Sequence, residues 1–120
     1  MTATEAKELC LEVWEYLAQH PEVKAKSNLP EGLYLRIRDL VDLCPLCEYF
    51  SHGNTGGFKR RRCSDCPLKS CQMKDDTAWN RWNWSTSDRS RINAAEAIVY
   101  RVKAWDAEAL DKDEAKEAKK

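Results

Sequence analysis

Cys44, Cys47, Cys63, Cys66 and Cys71 put five of the chain's six cysteines in one stretch, CPLCEYFSHGNTGGFKRRRCSDCPLKSC. Thiols grouped in this way can ligate a metal, exchange electrons or cross-link, and their spacing separates these chemistries. A four-thiolate zinc site needs sulfurs about 2.3 Å from the ion at tetrahedral corners. A CxxC loop brings two sulfurs to one ion and can turn backbone amides toward them; two such loops complete the shell. Cys44-Pro45-Leu46-Cys47, fifteen further residues and then Cys63-Ser64-Asp65-Cys66 match the C-x2-C-x15-20-C-x2-C zinc pattern. The spacing therefore predicts a structural Zn2+ ion ligated by Cys44, Cys47, Cys63 and Cys66.

The other chemistries fit less well. A redox dithiol belongs beside a strand–helix–strand pattern, which this sequence lacks. An iron–sulfur cluster also takes four cysteines, and Cys66-Pro67 resembles the end of a ferredoxin run, but that run packs its cysteines more closely. Cys71, five residues beyond Cys66, and His52, five beyond Cys47, are alternative ligands, and each has a plainer place, Cys71 under the knuckle and His52 in the hairpin. Cys10 falls on an apolar helical stripe, where a small buried hydrophobe is expected. Four thiolates around Zn2+ leave a local charge of −2, which Lys59, Arg60, Arg61 and Arg62 would offset.

The two loops must be brought together by what lies between them. EYFSH and FKRRR flank GNTGG and read as two short strands on a Gly-rich turn, an inserted β-hairpin. The rest reads as helix. Thr2-Ala3-Thr4-Glu5 has capping-box spacing, and Ala6, Leu9, Cys10, Val13, Trp14 and Leu17 form one apolar stripe ended by His20 and Pro21. LYLRIRDLVDL alternates like a strand at its start, but Leu33, Ile37, Leu40, Val41 and Cys44 suit a helix face. The helix is preferred, capped by Ser27 or Asn28, with Pro30 in its first turn, and running into the first cysteine pair. DDTAWNRWNW predicts a short helix capped by Asp75 or Asp76, and from about Ser87 a last helix aligns Ala94, Ala95, Ile98, Val99, Val102 and Trp105. The charged residues 106–120 are expected to fray or extend into solvent.

The predicted fold is thus mainly α. It is a single domain over 1–120 in which the N-terminal helix packs on the second and C-terminal helices, with the four-cysteine zinc-knuckle hairpin inserted at about 44–71. At 120 residues such a domain has a thin core, and a metal would staple it. No segment approaches the roughly 18 apolar residues of a membrane span. The opening residues lack a signal-peptide pattern, so a cytoplasmic protein with reduced thiols is expected.

The formal net charge of zero hides an asymmetry. Residues 1–58 carry five Lys/Arg against nine Asp/Glu, residues 59–103 eleven against five, and residues 104–120 four against six. A neutral total argues against a general nucleic-acid binder, while the basic middle leaves room for a basic face.

CPLCEYF, then CSDCPLKSC, then a Trp-bearing stretch and a closing helix resembles a loose group of small uncharacterised phage and prophage proteins. They share CxLC, then CxxCPL, then a later Cys, matched here by Cys44, Leu46, Cys47, Cys63, Cys66, Pro67, Leu68 and Cys71. The resemblance covers residues 44–84. It implies a metal-binding accessory protein of a phage or mobile element acting on a host process, and it brings no activity with it.

Three function classes then compete. No Ser/His/Asp, HExxH or phosphate-loop pattern is present, and a saturated thiolate shell leaves zinc no open position, so an enzyme is not expected. Nucleic-acid binding would draw on Lys59 to Arg62 with Lys69, Lys74, Arg81, Arg89 and Arg91, and on indoles for base stacking. Trp79 and Trp82, at i and i+3, read as core residues, leaving Trp84 as the exposed one. A protein partner is the preferred reading, with Lys59, Arg60, Arg61, Arg62 and Trp84 as anchors, because Arg and Trp dominate interface hot spots. The alternative is a nucleic-acid-binding zinc module using the same basic run.

Overall fold

Thr2 and Glu5 close the first helix as their spacing predicts. The Thr2 hydroxyl accepts from the Glu5 amide at 3.1 Å, and the Glu5 carboxylate accepts from the Thr2 amide at 3.0 Å. Hydrogen bonding to the Glu5 carboxylate from Thr2, its backbone amide first and its side chain second, holds that carboxyl below the usual range. The computed structural model describes residues 2–40, 44–52, 66–68 and 78–118. Within them lie α1 (Ala3–Gln19), a 3-10 turn (Lys26–Asn28), α2 (Glu31–Ile37), α3 (Pro45–His52), α4 (Ala78–Asn83), α5 (Asp88–Ala104) and α6 (Ala107–Ala118). The protein is mainly helical, and no strand occurs among the described residues.

α1 supplies the spine of the core. Ala6, Leu9, Cys10, Val13, Trp14 and Leu17 are all buried, joined by Ala3, and the helix packs along α5 and against α3 and α6. α5 meets it through Ala94, Ala95, Ile98 and Val102, whose small and branched side chains bring the two helices close. Ser87 caps α5, its hydroxyl accepting from the Ser90 amide at 3.2 Å. α4 lies on α5 and sends Trp82 edge-on into Trp14, with ring centroids 5.2 Å apart. The Lys26 ammonium stands 5.1 Å from the Trp14 ring centroid, over the indole.

Several sequence expectations change here. EYFSH is not a strand: it belongs to α3. At i, i+3 and i+4 Leu46, Tyr49 and Phe50 form one buried face, and Tyr49 and Phe50 pack on Trp105 at 6.2 and 5.7 Å between centroids. A strand would have pointed Tyr49 and Phe50 to opposite sides and lost one of those contacts. The remainder of the expected hairpin, GNTGG and FKRRR, lies outside the described residues.

α2 ends at Ile37, in turns over residues 38–40, rather than running into Cys44. Pro30 takes the N-cap position with no side-chain cap, while Ser27 and Asn28 belong to the 3-10 turn. α2 packs chiefly against that turn, not along α1; Arg36 reaches α1 through an ion pair with Glu12, and Ile37 enters the core.

Residues 107–118 are helical rather than frayed. Ala107 and Leu110 are buried, and Asp106 caps the helix by accepting from the Ala109 amide at 3.1 Å. Asp111 then reaches the start of α1. Its carboxylate accepts from the Ala3 amide at 2.7 Å, the Thr4 amide at 3.1 Å and the Thr4 hydroxyl at 2.6 Å. The first amides of a helix have no intrahelical acceptor and carry the positive end of its dipole, so a carboxylate there stabilises both. Lys7 of α1 makes the reverse contact, donating to the carbonyls of Lys103 at 3.2 Å and Trp105 at 2.6 Å at the end of α5. Asp111→Ala is expected to lower stability by about 1–2 kcal/mol, as loss of a good N-cap does. Faster amide exchange at Ala3 and Thr4 should accompany it; unchanged exchange there would exclude this tether.

Candidate metal centre

Of the four proposed zinc ligands, Cys44 and Cys66 have side chains among those described. The side chain of Cys47 and the whole of Cys63 fall outside them, as do Cys71, the side chain of His52 and the run Lys59 to Arg62. Among the described residues, no three His, Cys, Asp or Glu side chains converge on one point.

Cys44 sits immediately before α3. Its carbonyl accepts from the Glu48 amide at 3.0 Å, which makes it the N-cap residue, and Pro45 follows at the first helical position. Pro is suited to that position because its fixed φ is helical and its missing N–H would have no partner there. The Cys44 sulfur is therefore carried at the positive end of an eight-residue helix, where a thiolate is favoured. Only 3% of Cys44 is exposed, and Leu46, two residues on, is fully buried.

Cys66 repeats this local sequence, Cys-Pro-Leu, in a turn. The Leu68 amide donates to the Cys66 Sγ at 3.4 Å. This i to i+2 contact comes from the tight turn itself: Pro67 offers no N–H, so the next available amide is that of Leu68. An amide aimed at sulfur suits a thiolate better than a thiol, since it stabilises negative charge and orients a metal-bound donor. Cys66 is 6% exposed and Leu68 3%, so the apolar residue that positions the amide is anchored in the core that also holds Cys44. The donor chemistry of these two cysteines is compatible with zinc. Soft sulfur ligands, excluded water and an amide directed at one sulfur are what a closed tetrahedral thiolate site uses.

Known proteins offer no further guide. No family model, curated protein or solved structure matches the chain.

The remaining candidates divide by exposure. Trp82 is 4% exposed and Trp79 is partly buried against the core, as the i, i+3 spacing predicts, whereas Trp84 is 77% exposed. Cys10 is fully buried in the α1 stripe. Arg91, counted from sequence among the basic residues open to phosphate, is instead 5% exposed. Its guanidinium donates to the carbonyls of Pro21 at 2.7 Å and Ser85 at 3.1 Å, and to the Asp88 carboxylate at 3.3 Å. Those acceptors leave it no part in a basic face. Arg81 and Arg89 remain on the surface and line one groove with Ser87, Ser90, Asn93, Ala94 and Ala97, of about 570 Å³. The sequence named both arginines. It gave no sign that they share a groove, because the angle at which α4 meets α5 across the short connector 84–87 is set by packing.

No helix among the described residues is long and apolar enough to cross a membrane.

Proposed function

We infer that this chain is a non-enzymatic recognition protein whose middle segment is organised by a structural Zn2+ ion on Cys44, Cys47, Cys63 and Cys66, and that its partner is another protein. The observation that carries the metal reading is the Leu68 amide directed at the Cys66 sulfur, within a core that also buries Cys44. A site closed by four thiolates keeps no position for water or substrate, which favours scaffolding over catalysis. Zinc held this way would tie α3 to the 66–68 turn, and its binding energy would be largely folding energy.

The protein-partner reading is supported by Trp84, a large side chain left almost wholly in water directly after α4. Indoles kept in water at this cost are frequent interface anchors. Lys59, Arg60, Arg61 and Arg62 would add cationic contacts beside the zinc site. A role as a phage or mobile-element accessory protein acting on a host process, in the cytoplasm, rests on the sequence resemblance and on reduced thiols.

Native mass spectrometry of folded protein never exposed to chelator tests the metal. A mass equal to the chain plus a single zinc ion is expected, and a bare polypeptide would overturn the reading. A salt titration with single-stranded and duplex DNA and RNA tests the partner class. No binding at low salt is the expected result. Binding that weakens log-linearly as salt rises would move the function to nucleic acid.

A further inference from the structure

We propose that the groove between α4 and the first half of α5 is the seat of an acidic peptide segment of a partner protein, an inference that builds on the protein-partner reading above.

Arg81 of α4 and Arg89 of α5 both line this groove, both are exposed, and neither is engaged by an acidic side chain among the described residues. No Asp or Glu is among the described residues of its wall. Ser90 and Asn93 add hydrogen-bonding groups to the lining, and Ala94 and Ala97 contribute surface without long side chains. Such a surface can receive an apolar side chain of a guest.

Two exposed aromatic residues, Trp84 and Tyr100, follow lining residues of the groove by one helical turn. Trp84 follows Arg81 by three residues, and its amide still donates to the Asn80 carbonyl at 2.9 Å, so helical spacing persists and places the indole beside Arg81. On α5 Arg89, Asn93 and Ala97 recur every four residues, and Tyr100, three beyond Ala97, falls on the same helical face and is 75% exposed. Trp84 at 77% and Tyr100 at 75% are the two most exposed large hydrophobic residues described. A cationic cleft with a small apolar surface and exposed aromatic residues close by is complementary to a peptide carrying Asp or Glu around an apolar residue.

Charge decides between this guest and a nucleic acid. A polyanion gains affinity from a succession of phosphate contacts along its backbone. Here Arg81 and Arg89 are the only cations among the described lining residues. Two cations offer no such succession, whereas a peptide can place its acids opposite the arginines alone. Bidentate guanidinium–carboxylate pairing then fixes the guest's orientation.

Selection of random peptides displayed on phage, against the intact zinc-loaded chain, tests the assignment. Enriched peptides are expected to be rich in Asp and Glu around an apolar residue. The Arg81→Glu/Arg89→Glu variant should bind a synthetic copy of the enriched peptide at least roughly tenfold more weakly. Both side chains are exposed, so the variant should keep its helical circular dichroism and zinc content. Trp84→Phe should abolish any fluorescence change caused by the peptide, leaving the emission of the other indoles unaltered. Enriched peptides without acidic bias, or acidic peptides held equally well by the double variant, would overturn the proposal while leaving the protein-partner reading intact. Oligothymidylate retained by the parent and lost by the variant would instead give the groove to nucleic acid, overturning both.

Discussion

Cys66→Ser is expected to leave the purified protein without zinc and to unfold at least the 44–71 segment. Apparent binding free energies for structural zinc in small thiolate-containing domains are about 10–16 kcal/mol, and much of this is folding energy because the unfolded chain holds no preformed site. A serine hydroxyl remains protonated and hard, so it replaces neither the charge nor the softness of the sulfur. The consequence should spread through α3. That helix is tied to the proposed ion by Cys44 at its start, and its Tyr49 and Phe50 rings meet Trp105 at the α5–α6 junction. Zinc content by elemental analysis and Trp fluorescence on chelation measure the two effects. Cys10→Ala provides the comparison, because Cys10 is buried in α1 and lies outside the proposed ligand set. It should keep its metal. A Cys66→Ser protein that retained stoichiometric zinc would remove Cys66 from the site.

Arg91→Met is expected to cost about 3 kcal/mol and to lower the melting temperature by roughly 10 °C. The Arg91 side chain is 6% exposed, so its charge has been withdrawn from water and is balanced chiefly by protein acceptors. It bridges the carbonyl of Pro21, just after α1, and that of Ser85, between α4 and α5. Hydrogen bonds to a charged group contribute about 1.5–3 kcal/mol each, and methionine would leave both carbonyls in need of another donor. The Asp88 partner adds little, since that carboxylate is mostly in water. Arg91→Lys keeps the charge but has a single nitrogen for acceptors that Arg91 reaches with two, so an intermediate loss is expected. Arg89→Met, two residues away and exposed, should change stability by no more than about 0.5 kcal/mol. Equal denaturation midpoints for the Arg89 and Arg91 variants would refute this account of the buried guanidinium.

The contrast between these two arginines shows where a sequence stops being informative. Both read as solvated cations on a helix. Arg91 becomes internal only because the Pro21 carbonyl, 70 residues earlier, is brought to it. The same holds for α6. DAEALDKDEAKEAKK offers too few apolar residues to mark a docked helix, and its place depends on Ala107, Leu110 and the reach of Asp111 to amides more than a hundred residues away. EYFSH misled for a related reason. Aromatic residues favour strands in general, yet their preference here follows the neighbours available, and Trp105 offered a surface to which two rings on one helical face can pack.

The candidate site was legible to a different depth. Cysteine spacing alone nominates the ligands, because each CxxC loop is short enough to turn two sulfurs toward one ion. The tight turn that aims the Leu68 amide at Cys66 is also local, written in Cys66-Pro67-Leu68. The burial of Cys44 and Cys66 in a common core is not local.

The sequence by itself determined the Thr2–Glu5 cap, the apolar stripes of α1 and α5, the exposure of Trp84 and the nomination of the thiols. The cap and the stripes depend on residues three or four positions apart, where helical geometry fixes who can meet whom, and the thiols are nominated by their spacing along 44–66. Tertiary structure alone decided that Arg91 is internal, that α3 is a helix, that α6 docks through Asp111 and that two arginines share a groove. The first three depend on carbonyls, rings and amides supplied from distant parts of the chain, and the groove on the angle at which packing sets α4 against α5.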